Sequence, residues 1–102
     1  MSMVLLPEKV KLYCDVVDLR KGQHGLLGLL KQLNCEESGD VLYLFINRSR
    51  DLLKGLFWDR TGYIVLSKRL EAGRFKIPIK DETMELNSEQ LRYLLDGLKL
   101  FV

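Results

Sequence analysis

Between Arg48 and Lys76 the chain carries eight Lys and Arg against three Asp and Glu, whereas Met1–Asn47 holds five bases against six acids and Ile77–Val102 three against five. The formal charge of all 102 residues is only +2, so distribution matters more than the total. A concentrated positive segment attracts phosphate or another polyanion, and a solvated strand face has the same composition. Within the segment, Arg48 and Arg50 fall in an expected turn, Lys68 and Arg69 end an expected strand, and Arg74 with Lys76 opens the next extended piece. Adjacent turns of a meander can bring such bases together, and the planar guanidinium of arginine donates two hydrogen bonds to a phosphate at once. Arg20 and Lys21 stand in the first turn of an expected helix, where the helix dipole disfavours cations; a ligand or an ion pair with Asp18 would account for them. Of the interleaved aromatics, Phe57 and Phe75 read as core. Trp58 and Tyr63 leave two readings open, packing in the core or across the sheet, or stacking on nucleic-acid bases.

Other chemistries find little support. The one histidine, His24, lies at the start of the expected helix with no serine or cysteine in a nucleophile signature, and reads as a solvent-facing or capping residue. Cys14 and Cys35 are isolated, and with His24 they fall one ligand short of a metal set, so no metal or other cofactor is expected. Asp51, Asp59 and Glu71 each adjoin a turn and a base, where turn chemistry and charge pairing explain them. "GQHGLLG" has glycines but matches neither GxxxxGK(S/T) nor GxGxxG. Met1–Leu6 lacks the basic start of a signal peptide, and no apolar run approaches the roughly 20 residues of a membrane span. The expectation is a soluble, cytoplasmic, thiol-reduced protein making no membrane contact and forming a single domain over residues 1–102.

The elements that must position these residues follow from periodicity. "KVKLYCDVVD" reads as a first strand, followed by a helix over Leu19–Leu33 with Asp18 as its cap and Leu26, Leu29, Leu30 and Leu33 on one face. Gly22, Gly25 and Gly28 within it point to close packing or to a late helix start. "NCEESGD" is an exit loop. "VLYLFI" is a continuous apolar run suited to a central strand covered on both faces. "DLLKGLFWD" returns with Gly55 as a bulge, and "DRTG" turns through a positive φ at Gly62 into "YIVLSKRL". After a turn at "EAG", "RFKIP" and "TMEL" are short extended pieces, and "NSEQLRYLLDGLKL" is a capped helix ending near Gly97. The fold class is α+β: a mostly antiparallel meander sheet with one helix after the first strand and one C-terminal helix packed on it.

Three segments carry a resemblance: "DLRKG" with Leu26 after it, "LFINRSRDLLKGLFWDRTGYIVLSKRLEAGRFKIP" over Leu44–Pro78, and "LNSEQLRYLLDGL" over Leu86–Leu98. In order and spacing they resemble the small protein of the second open reading frame of IS-sixty-six-type bacterial insertion sequences, a family often called TnpB. Three positions depart from the family pattern: Gln23-His24-Gly25 replaces a Phe/Ile-Asp-Gly, Ser49 stands where a further base is usual, and Ile77 replaces a tryptophan before Pro78. The resemblance implies a non-enzymatic accessory role in DNA transposition beside a separate transposase that carries the DNA-cutting acids, with the transposase and other proteins of the element as partners. In one reading Arg20, Lys21, Arg48, Arg50, Lys68, Arg69 and Arg74 meet DNA phosphates. In another the protein is an adaptor that grips the transposase through Trp58 and Tyr63 without touching DNA, and a third makes it a small metal-dependent nuclease.

Overall fold

The computed structural model describes residues 6–33, 35 and 40–100. Its elements run β1 (Lys9–Val17), α1 (Gly22–Gln32), β2 (Val41–Asn47), β3 (Leu52–Asp59), β4 (Gly62–Arg69), β5 (Thr83–Leu86) and α2 (Ser88–Leu95). The five strands form one sheet in the order β4-β3-β2-β1-β5. The α+β class and the element order agree with expectation, but the sheet is mixed, which corrects the mostly antiparallel meander. β2, β3 and β4 are an antiparallel meander, β1 lies parallel to β2, and β5 is antiparallel to β1. The cause is α1: a helix between two neighbouring strands carries the chain back across the sheet, so the second strand starts at the same end as the first.

Residues Val41 to Ile46 of β2 are each no more than 3% exposed. Strand side chains alternate between faces, so Leu42, Leu44 and Ile46 join one core with Leu12, Phe57, Phe75 and Leu94. Val41, Tyr43 and Phe45 join another with Leu19, Leu26, Leu30 and Leu56. Helix α1 therefore covers one face, while α2 and the segment holding Phe75 cover the other. Each fully buried Leu or Phe contributes about 1.5–3 kcal/mol, so the two covers are what keep β2 out of water. Among the described residues no helix is long and apolar enough to cross a membrane.

Helix α1 starts later than Leu19. Its N-cap is Lys21, without a side-chain cap bond, and Gly22 enters the helix from φ +65. Asp18 is not its cap: one carboxylate oxygen accepts the Arg20 N–H at 3.0 Å, holding the preceding turn. Helix α2 has the cap its sequence announces, with Gln90 N–H donating to Asn87 Oδ1 (2.8 Å) and Asn87 N–H donating to Gln90 Oε1 (2.9 Å). "RFKIP" forms no strand, although Phe75 N–H donates to the Arg50 carbonyl at 2.7 Å. In the β3–β4 turn the positive φ belongs to Arg60 (+52) and not to Gly62. Of the expected exit loop, residues 34 and 36–39 lie outside the described residues.

Gly55 is not a bulge, because the β2–β3 register runs through it unbroken; the irregularity lies in β1, between Leu12 and Val16. A Cβ at Gly55 would sit 3.0 Å from both Leu42 Cδ1 and Leu44 Cδ2. The glycine is there because two central leucines occupy its space.

The turn between β2 and β3 is tied by one side chain. Asn47 Oδ1 accepts the N–H groups of Asp51 and Leu52 at 3.0 Å each, and Asn47 Nδ2 donates to Asp51 Oδ1 at 2.8 Å. Asp51 Oδ2 in turn accepts from Arg69 Nη1 at 2.9 Å, linking the turn to the end of β4. The Asn47 amide, with Arg69 behind it, holds the Asp51 carboxyl below the usual carboxylate range.

Two measurements check this reading. Gly55→Val should destabilise by about 1–3 kcal/mol through overpacking, whereas Gly62→Ala, whose new methyl meets nothing within 4 Å, should stay within about 0.5 kcal/mol; urea denaturation reads both. Because Asp51 titrates lower folded than unfolded, its contribution is present above the unfolded value near 3.9 and is lost as pH falls through the folded one. Denaturation midpoints should therefore drop on acidification below about pH 4, and Asp51→Asn should drop less steeply; an identical pH slope in that variant would contradict the assignment.

Candidate nucleic-acid interface

The bases expected to form one surface divide between the two faces of the sheet, and the Asn47 turn is where they part. Arg48 falls on the α1 side, in a groove at the ends of β1 and β2 that Val17, Leu19 and Leu52 also line. Arg20, Lys54 and Arg69 join it there, with Asp18 the acid in the lining. These cations come from the turn after β1, the turn after β2, the middle of β3 and the end of β4. The groove thus sits beyond the carboxyl ends of a parallel strand pair, the usual place for a ligand in sheets with helical crossovers. Lys21 lines an adjoining groove with His24 and again with Arg48 and Asp18, so it extends the same positive edge.

Two of these cations are already paired with acids. Arg20 grips Asp18 with both arms of its guanidinium, Nε to Oδ1 at 2.9 Å and Nη2 to Oδ2 at 2.7 Å. The Arg20 hydrogen bonds hold the Asp18 carboxyl far below the usual range, and the guanidinium pKa is raised in return. With its side chain 88% exposed, the arginine presents its outer edge to solvent. This answers the oddity of cations at the start of α1: both precede the first helical residue, and one is neutralised locally. Arg69 is held by Asp51 as described. Lys54 went unnoticed in the sequence; its ammonium donates to the Leu19 carbonyl at 3.3 Å and retains further donors. The signal was available, since strand alternation puts Lys54 on the face of Leu52 and Leu56.

The remaining expected contacts lie elsewhere, correcting the single basic cluster. Lys68 donates to the carbonyl of Leu95, the last residue of α2, at 2.7 Å. Lys76 donates to Gly97 O just beyond, at 2.8 Å. Both satisfy carbonyls at a helix C-terminus, where cations are favoured. Arg74 donates to Gly73 O at 3.0 Å. Arg50, in left-handed backbone at φ +61, lines a cleft on the α2 side with Lys76 and Lys99.

Trp58 and Tyr63 face each other across the β3–β4 hairpin, ring centroids 5.0 Å apart and planes at 73°. This edge-to-face pair braces the hairpin end, while the indole stays 37% exposed. Phe57 and Phe75 are buried, as expected. His24 is exposed on α1. Cys14 and Cys35 are free thiols, and burial raises the pKa of each. Among the described residues no three His, Cys, Asp or Glu side chains converge as a metal site.

Comparison with known proteins agrees with the sequence motifs. The family described as "IS66 Orf2 like protein" matches residues 8–101. An uncharacterized protein of Sinorhizobium fredii, y4jC, is 33% identical over 85 residues, which cover 80% of this chain and 72% of that protein. No solved structure matches. With nearly the whole chain matched, the protein belongs to the IS66 Orf2-like family, which points to an accessory role in transposition.

Proposed function

We propose that the protein is a non-catalytic accessory factor of transposition that holds DNA of its element by the phosphate backbone, working beside a transposase and other proteins of the same element. The contact is the α1-side groove rimmed by Arg20, Arg48, Lys54 and Arg69, with Lys21 continuing it. The observation that carries this reading is the convergence of four cations, from four separated stretches of chain, on one groove with a single lining acid. A solvated strand face would not gather charge from turns and strands alike. The arginines suit bidentate phosphate contact and the lysine acts as a point charge beside them. The reading is of backbone contact that positions DNA. Arg50, Lys68 and Arg74, expected in the same surface, are left out of it: Arg50 and Lys68 serve the other face, and Arg74 does not line the groove.

Fluorescence polarisation with a labelled duplex at several salt concentrations tests the reading. With two to four phosphates neutralised, log affinity should fall against log salt with a slope of about −2 to −4. Arg48→Ala and Lys54→Ala should each make the slope shallower by about 1, and Arg74→Ala should leave it unchanged. Absence of binding at low salt, or equal effects of Arg48→Ala and Arg74→Ala, would overturn the proposal.

A further inference from the structure

The two edges of the sheet are unlike. β5 closes one side with four residues, whereas β4 runs eight residues along the other, every one in register with β3. Among the described residues no strand pairs with the outer side of β4. The Leu70 N–H donates to the Asp51 carbonyl at 2.8 Å, one step beyond the Leu52–Arg69 pair. In an antiparallel ladder, residues that bond to the neighbouring strand alternate with residues that do not. Leu66 and Lys68 therefore turn their backbone groups to β3, while Val65, Ser67 and Arg69 turn theirs outward.

Long edge strands are usually blunted by a proline, a bulge or a charge that repels another strand. β4 has neither proline nor bulge, and its two charges stand together at one end. Both are held by their own chain: Lys68 Nζ donates to the Leu95 carbonyl at 2.7 Å and Arg69 Nη1 to Asp51 Oδ2 at 2.9 Å. The middle of the strand is apolar on both faces. Val65, opposite Leu56, lies on the α1 side, and Leu66, on the face of Ile64 and its neighbour Phe57, lies on the α2 side. Each is 38% exposed.

The order of residues selects what pairs with this edge. Two identical strands meeting about a two-fold axis place one residue opposite itself and run the others past each other in reverse. Around Val65 the sequence reads nearly alike in both directions, with Ile64 and Leu66 beside it and then Tyr63 and Ser67. We infer that the chain forms a two-fold dimer through β4, with Val65 on the axis and the two sheets joined into one. Leu66 then falls opposite Ile64 of the second copy, Ser67 opposite Tyr63, Lys68 opposite Gly62 and Arg69 opposite Thr61. Aliphatic meets aliphatic, hydroxyl meets hydroxyl, and along the strand no charge faces its like. The symmetry favours a second copy over a strand of unrelated sequence, which gains nothing from it. The inference stands apart from the DNA reading, because this pairing needs no duplex.

Sedimentation equilibrium of the full chain, without DNA, should show a concentration-dependent monomer–dimer equilibrium. Val65→Lys and Val65→Glu each set like charges against one another on the axis, and each should weaken dimerisation at least about tenfold. Mixing the two variants should restore the dimer, because only a residue that faces itself across the axis exchanges repulsion for attraction on mixing. Ile79→Lys, which charges an exposed apolar residue outside β4, should leave association unchanged. A measurement on the unmodified chain needs no variant to fold: amide exchange at Val65, Ser67 and Arg69 should slow as protein concentration rises. A monomer at every concentration, with the edge left to a strand of another protein, would overturn the inference. So would a dimer indifferent to Val65→Lys, mixed variants that associate no better than either alone, or edge amides whose exchange ignores concentration.

Discussion

The rest of the structure follows from the need to keep one strand dry on both faces. β2 presents six consecutive apolar residues, so a sheet exposed on either side would leave half of them in water. Helix α1 must cross over to cover one face, and that crossover makes β1 and β2 parallel. The chain after β4 must double back over the other face, where Phe75, Ile77, Leu94 and Leu100 complete the second core. The same demand excludes a side chain at position 55, since Leu42 and Leu44 already fill the space above it.

Covering both faces also decides where the charges go. The turn leaving β2 emerges between the two cover layers, so its bases have a face each: Arg48 beside α1, Arg50 beside the chain that follows α2. Asn47 makes that separation rigid by binding the far end of the turn at two N–H groups and one carboxylate. Lys68 and Lys76 are then drawn to the carbonyls that α2 leaves open at its end. The positive middle of the sequence is therefore three things in space: a groove, a helix cap and a second cleft.

Much of this was legible beforehand. The unbroken apolar run of β2 announced a strand covered twice, and the Asn87–Gln90 box announced the start of α2. The family motifs announced the class of protein. What the sequence could not show depends on contacts between distant residues. Parallel pairing was implicit in strand-helix-strand order but competed with the stronger local signal of successive hairpins. Gly55 looked like a bulge because its crowding comes from β2. Arg48 and Arg50 looked like one cluster because a turn read as text has no sides. Lys54 stands alone among the apolar residues of β3, although alternation puts it on the face of the groove. Gly62 attracted the positive φ that Arg60 takes, since residue preference is weaker than the geometry of the hairpin it closes.

The central claim is that the α1-side groove, and not the positive sequence segment as a whole, meets DNA. Titrating a short duplex into isotopically labelled protein and following backbone amides by NMR tests it most directly. The account predicts that Arg20, Lys21, Arg48, Ser49, Lys54 and Arg69 shift together while Lys76, Lys99 and Arg74 stay in place. Shifts centred on Lys68, Arg74 and Lys99, with the groove silent, would contradict it.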